Sequence, residues 1–526
     1  MTKPLSGPSS GPPSGMTRRG FLTGVGAGAA ALTLTPAEAL AKVVTVRAGG
    51  LATSPDRFGR VFNLAPFADF NAPSLRPALM EMGRPGGLVD ARDPLQEGPI
   101  RLITNPELSP NNLDNAAHTA GVTFFGQFVD HDMTFDEASP LGVPTAPEQS
   151  ANTRTPAFDL DSVYGRGPAA DPQFYDPADT AKFRLESGGR FEDVPRRSNR
   201  TAIIADPRND ENLIISGMHA AFLRFHNRVV DHLRASGQQG NVFEAARQQV
   251  RWHYQWLVLR EFLPLIIGQS AVNDILTNGR RFYRPAAGQQ FMPVEFQGAA
   301  YRFGHSMVRP SYRANLAGNP DGTPFFGFIF DPAGQGQSDP VDLRGGARAP
   351  RRFIGWQTFF DFGDGEVRPN KRIDTKLSTP LFNLPLSAIP SADPPTSLAQ
   401  RNLLRHITWS MPSGQNLARA IGVPALEAQH FPELQAIGHG LPSSTPLWYY
   451  VLKEAEVLAG GARMAGVGAR IVGEVFIGLL QLDPSSFLAT NPSWRPTLPR
   501  RSGGTGDFRM VDLLTFARVD PASRGQ

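Results

Sequence analysis

The stretch Gly126-Gln127-Phe128-Val129-Asp130-His131-Asp132 decides how this chain is read. Gln127 and His131 are four apart, so on a helix they share a face and project over the same ligand. A neutral imidazole in that position accepts a proton and gives it back near neutral pH, which is general acid–base chemistry. An amide beside it holds water or a halide. Asp130 and Asp132 flank His131, and a helix cannot turn both to one side, so the heptapeptide serves three directions rather than one. A histidine in such a run is ordinarily a core residue bonded to backbone; the case for a site rests on four segments further along the chain.

Thr155-Pro156-Ala157-Phe158-Asp159-Leu160-Asp161 places oxygen-bearing residues at alternate positions ahead of Val163-Tyr164-Gly165. In an extended loop that alternation aims them to one side, as a Ca²⁺ site of about six to eight oxygen ligands requires. Asp132, Asp159 and Asp161 would supply the charge, Thr155 a hydroxyl and carbonyl, and Ala157 a carbonyl. Taken alone, Asp-x-Asp is ordinarily a solvated turn. Arg208-Asn209-Asp210-Glu211 precedes an amphipathic pattern; its permanently charged guanidinium suits a fixed electrostatic role, or it is a surface Arg ahead of a helix start. Tyr301-Arg302-Phe303-Gly304-His305-Ser306 sets a His on an apolar helix after a Gly, which removes a side chain where a flat group must approach. Arg401-Asn402-Leu403 offers an amide as hydrogen-bond acceptor for that His. A core His and a surface-loop Asn are the ordinary explanation of these last two.

In this order the segments resemble the animal haem peroxidases of the peroxidase–cyclooxygenase superfamily, over roughly residues 110–485. The resemblance implies haem b and Ca²⁺ as cofactors, His131 as the distal acid–base residue, Gln127 as the pocket amide and Arg208 as the catalytic Arg. It makes His305 the proximal iron ligand, Asn402 its partner, and Arg302 the partner of a haem propionate. Asp132, Thr155, Ala157, Asp159 and Asp161 match the Ca²⁺ shell. Asp130 and Glu211 match carboxylates that form ester bonds to haem in mammalian members; Asn212 stands where myeloperoxidase has its haem-linked Met, so no sulfonium bond is expected. The implied activity is hydrogen-peroxide-dependent oxidation of a halide, thiocyanate or small organic donor through a ferryl oxidant. One alternative is a fatty-acid dioxygenase of the same superfamily. Those enzymes carry a radical-forming Tyr three residues before the proximal His; here that residue is Arg302, and Tyr301 is one step out, rotated by about 100°. A second alternative is a non-catalytic secreted calcium- or haem-binding protein, which has no need of His131 and Arg208 together.

Composition fits this and excludes other classes. With 526 residues, 40% hydrophobic and 35 Phe, the chain has ample material for a large core. The absence of Cys excludes disulfides, thiolate metal sites, Cys-ligated haem and a lipidated Cys anchor. A net charge of +4 with scattered Lys and Arg gives no reason to expect nucleic acid. Residues 1–41 read as a Ser/Pro/Gly-rich start followed by a twin-arginine-type export signal, Thr17-Arg18-Arg19-Gly20-Phe21-Leu22 with Ala39-Leu40-Ala41 as cleavage site, so Met16 is an alternative start. An exported, periplasmic or extracellular protein without a membrane span is expected. Residues 42–110 read as a meandering arm and 111–526 as a haem peroxidase catalytic domain. That domain is expected to be mainly α, single and large, with long loops and little β. Helices are expected from about Asn212, over Phe243–Ile267 with Pro264 as kink or stop, and as two runs within 447–482 parted by Gly460-Gly461. Residues 310–400 read as long loops with short helices.

Overall fold

In the computed structural model, which describes residues 54–346 and 348–526, the helical pattern after Asn115 becomes a stack of helices around one core. The export signal lies outside the described residues, as do residues 42–53. Four elements position the site. Helix α1 (Ala120–Met133) is buried on nearly every face, and Gly121 lets it close on Phe359 and Phe360, where a Cβ would come within 2.4 Å of the Phe360 ring. Helix α2 (Leu213–Ala235) starts at Asn212, whose side chain accepts from the N–H groups of Ile214 and Ile215. Its buried stripe of Ile215, Met218, Phe222, Phe225 and Val229 meets α1, with Phe128 stacked on Phe222 at 4.5 Å.

Helix α3 (Val242–Leu257) comes next, capped by Asn241. Pro264 does not stop it. Having no N–H for the carbonyl of Arg260, Pro264 is accommodated by a wide π turn over Val258–Phe262, after which helix resumes to Ile267 and ends at Gly268. Helices α4 (Leu398–Thr408), α5 (Leu447–Ala459) and α6 (Gly466–Leu482) complete the frame, α5 closing on left-handed Gly460 as the Gly pair suggests.

Strand content is low and confined, among the described residues, to two-stranded pairs. β1 (Asp114–Thr119) pairs antiparallel with β4 (Pro369–Lys371), Asn115 opposite Asn370. Within the segment expected to be loop, β2 (Ser311–Asn315) and β3 (Phe325–Phe328) form a hairpin with Tyr312 opposite Gly327; inward-facing Tyr312 packs on Phe124 of α1. Residues 54–110 contain two short helices, Leu75–Met82 and Gly98–Thr104, the first burying Leu75, Leu79 and Met82. No helix among the described residues is long and apolar enough to cross a membrane.

Candidate active site

The last turn of α1 points three ways, as its sequence demands. His131 is buried and donates from Nδ1 to Oδ1 of Asn209 at 2.9 Å; Nδ2 of Asn209 in turn donates to Nδ1 of His219 at 3.1 Å. With Nδ1 spent inward, Nε2 of His131 has no hydrogen-bond partner among the described residues. Burial, reinforced by the Arg208 charge, pushes its pKa down to about 3, so the imidazole is neutral. Gln127, on the same face, donates to Glu211 and accepts from Asn212. Burial pushes Glu211 up to about 8 and raises Asp130, whose rise Arg208 and Arg302 partly offset.

Arg208 is clamped. Asp206 takes two of its nitrogens at 3.0 and 2.7 Å, the carbonyl of His131 takes one at 3.0 Å, and its guanidinium stacks 3.9 Å from the centre of the Phe135 ring. Its remaining nitrogen faces Asp130 at 3.9 Å. Burial opposes ionisation of Asp206, but Arg208 and Arg154 hold that carboxyl well below the usual range.

Across from α1, His305 ends a six-residue 3-10 turn, Ala300–His305, rather than lying on an α-helix. The turn is held by Tyr301, whose hydroxyl donates to the carbonyl of Gly126 on α1 at 3.0 Å, and by the Trp448 indole donating to the carbonyl of Arg302. Asn402 is not in a surface loop; it is fully buried on α4, with Nδ2 2.8 Å from Nδ1 of His305. The sequence predicts that the amide presents its oxygen to His305. Instead Arg302, which can only donate, claims that oxygen at 3.0 Å. Nε2 of His305 has no partner among the described residues, and burial, then Arg302, lowers its pKa to about 3.

Do these residues fit a haem? Nothing lies within 4 Å of the place a Cβ on Gly304 would occupy, so open space adjoins half-buried His305. His131 presents a bare Nε2, whereas His305, accepting at Nδ1 from Asn402, carries its proton on Nε2. Half-buried Arg302, leaving the Asn402 oxygen for an acidic group, would free that oxygen to accept from Nδ1 and bare Nε2. In that tautomer the donor set fits: His305 would hold the iron, and Arg302, Asp130 and Glu211 would be available to the acidic and methyl edges of the group.

Asp132, also fully buried, faces away from this space. One oxygen each of Asp132, Asp159 and Asp161 lie within 4.8 Å of one another. The loop that brings them together is not extended: Leu160 takes a left-handed conformation (φ 60°) and Asp161 opens a single helical turn, so the carboxylates converge through a bend rather than through alternation. Leu160 N–H and Ser162 Oγ donate to Asp132, and Thr155 N–H donates to Asp161. The Thr155 carbonyl receives the N–H of buried Ala157. Burial, then mutual repulsion, raises Asp132 well above its usual range and Asp159 to about 7; burial raises Asp161 too, opposed by Arg154.

Residues 136–332 match the family described as animal haem peroxidase. Over that segment, a little over a third of the chain, the sequence is similar to the animal haem peroxidase family. This match holds the carboxylate loop, Arg208, Glu211 and His305, whereas α1 with His131 and α4 with Asn402 lie outside it and are joined to it by the fold. Over 203 residues the chain is 26% identical to thyroid peroxidase of Mus musculus, a stretch covering 34% of this chain and 22% of that one. It spans about a fifth of the length of the thyroid peroxidases it matches. In fold it is similar to peroxidase A of Dictyostelium discoideum (TM-score 0.53, 15% identity, 84% of this chain and 88% of that one). It is also similar to the fatty acid alpha-dioxygenase of Oryza sativa (TM-score 0.54, 12% identity, 82% and 76%).

Four site residues are not singled out by sequence reasoning: Asp206, Asn209, His219 and Arg154. Asn209 and Asp206 sit within two residues of Arg208, so a signal is present; what it lacks is the partner, which is 78 residues away for Asn209.

Proposed function

We propose that this chain is a haem-dependent peroxidase, with residues 111–526 as its catalytic domain, that uses hydrogen peroxide to oxidise a halide, thiocyanate or small organic donor. The observation that carries the reading is the neutral His131, its Nε2 free and its Nδ1 fixed by Asn209, beside the clamped Arg208. His305 would hold the iron of haem b, with Asn402 behind it and Arg302 on a propionate. When bound, the haem supplies the metal to which peroxide coordinates and the store of two oxidising equivalents.

The chain's own part is proton and charge management. Nε2 of His131 would take the proton from one oxygen of the peroxide and deliver it to the other, which would leave as water. Arg208, permanently charged and already oriented, stabilises the negative charge that develops as the O–O bond lengthens. Gln127 positions a water or a halide on the same face. Glu211 and Asp130, both raised by burial, are carboxyls suited to ester bonds with the haem edge.

Ca²⁺ is the cation proposed for Asp132, Asp159 and Asp161, completed by Thr155 and Ala157; a hard cation with oxygen ligands answers three crowded carboxylates. Export by the signal at residues 17–41 is part of the same reading. The dioxygenase alternative has the same fold to offer, but Arg302 fills the position its Tyr requires, and the Tyr301 hydroxyl is committed to Gly126.

The test is steady-state turnover of peroxide with iodide, bromide, chloride, thiocyanate and a phenol, in wild type and His131→Ala. The variant is expected to keep its Soret band and lose on the order of 10²–10⁴-fold in peroxide reactivity. Wild-type reactivity in the variant overturns the distal assignment. Haem that extracts completely into acid acetone after peroxide exposure removes the ester bonds from the reading. Oxygen uptake with linoleate in the absence of peroxide moves the activity to the dioxygenase.

A further inference from the structure

The π turn that accommodates Pro264 has a second consequence, at residues that take no part in the cluster around His131 and His305. It carries Arg260 back beside Trp256, one turn earlier on α3, with the guanidinium carbon 5.5 Å from the centre of the indole ring. A second guanidinium, from Arg495, lies 5.5 Å from the same ring. Trp256 is only 5% exposed, and its indole N–H is buried without an acceptor; the Nε–H of Arg260 is buried without one as well. Phe487 and Trp494 wall the cluster at 6.0 and 6.1 Å.

What is missing is negative charge. Among the described residues neither Arg260 nor Arg495 has a carboxylate within ion-pair distance. The acids nearby are turned elsewhere: Glu261 accepts the N–H of Met510, Asp483 faces Arg251, and Asp507 faces Arg509. Arg495 spends one nitrogen on the carbonyls of Ser493 and Trp494. The Arg260 guanidinium is held below its usual range by burial and then by the like charge of Arg495. Exposed Arg495 and half-buried Arg260 repel each other beside an indole whose N–H is unspent, and an anion bridging the two guanidiniums would relieve that repulsion. The guanidinium fork presents parallel N–H groups that suit a phosphoryl group. A π turn, itself uncommon, is a frequent marker of functional positions.

We propose that Arg260, Arg495 and the Trp256 indole N–H form a binding site for a phosphoryl oxyanion, either free phosphate or the phosphate of a larger molecule. The site is independent of haem and of the peroxidase reading. Its test is isothermal titration calorimetry of the full protein as purified, with inorganic phosphate at constant ionic strength, in wild type, Arg260→Gln, Arg495→Gln and Trp256→Phe.

Wild type is expected to bind saturably. Each Arg variant is expected to weaken binding on the order of tenfold or more, since each removes a charge-assisted hydrogen-bonding group. Trp256→Phe, which keeps a ring and loses the N–H, is expected to weaken it less. Phosphatidylglycerol vesicles that displace phosphate would assign a lipid headgroup as the source; vesicles that do not would assign a soluble phosphate. No saturable heat up to about 20 mM phosphate, or Arg variants that bind as wild type does while circular dichroism reports them folded, overturns the proposal.

Discussion

Asp206 and Asp132 are both fully buried near the last turn of α1, and they differ in what surrounds them. Asp206 lies between two guanidiniums, with Arg208 at 2.7 Å and Arg154 at 2.9 Å, and it is held in the charged form. Asp132 has two further carboxylates beside it and is raised well above the usual range. Arg154 touches both groups but reaches the second only at Asp161, at 3.5 Å. Buried charge is tolerated when it is paired and hydrogen-bonded. The first cluster is therefore a finished frame that fixes Arg208 and, through Asn209, His131. The second is unfinished, and the proposed Ca²⁺ would complete it.

The largest expected effect comes from unbalancing the finished cluster. Asp206→Asn leaves Arg208 and Arg154 buried without their shared counter-charge, and a loss of about 3–5 kcal/mol in unfolding free energy is expected from denaturant titration. A variant as stable as wild type would mean that solvent, not Asp206, neutralises these guanidiniums, and the contrast with Asp132 would collapse.

The unfinished cluster responds with the opposite sign. Asp159→Asn removes one of three mutually repelling groups, so in chelator the variant is expected to melt above wild type, and in Ca²⁺ below it. Chelation of wild type itself is expected to cost about 2.7 kcal/mol if free Ca²⁺ had stood at 100 times its dissociation constant. Equal melting temperatures for both proteins in both buffers would show that no cation is held there.

The two clusters are also unequally legible in the sequence. Asp132, Asp159 and Asp161 can be grouped because two of them share a short loop and the third adjoins His131. Their geometry cannot, since a left-handed Leu160 gives no sign in sequence that the loop bends, and an extended loop is the wrong expectation. His131, Arg208, Glu211 and His305 are singled out because their segments occur in the order the resemblance requires, while each segment taken alone has an ordinary explanation. Asp206 and Arg154 are not, because an ion pair between positions far apart in the chain depends on how two loops pack. Helices α2, α5 and α6 are legible from apolar spacing and a Gly pair. The β2–β3 hairpin hides among Pro and Gly. The π turn before Pro264 is invisible because a proline signals only that one hydrogen bond is lost, not how the helix repairs it.

The smallest expected effect tests the link between frame and chemistry. Asn209 is neutral, yet it connects the balanced cluster to His131, accepting from that imidazole and donating to His219. Asn209→Leu leaves both Nδ1 atoms buried without a partner, and a stability loss toward the lower end of the roughly 1–3 kcal/mol typical of such groups is expected. A merely structural residue would stop there. A positioning residue also slows the reaction of bound haem with peroxide, because an imidazole without its Nδ1 acceptor no longer presents a bare Nε2 in one orientation. Asn209→Asp separates the two roles: it keeps an acceptor for His131 and loses the donor to His219. It is expected to recover peroxide reactivity more fully than stability, measured by stopped-flow absorbance and thermal unfolding on the same preparations. Peroxide rates that are the same in wild type, Asn209→Leu and Asn209→Asp would reduce Asn209 to packing and leave Arg208 alone to hold the last turn of α1 in register.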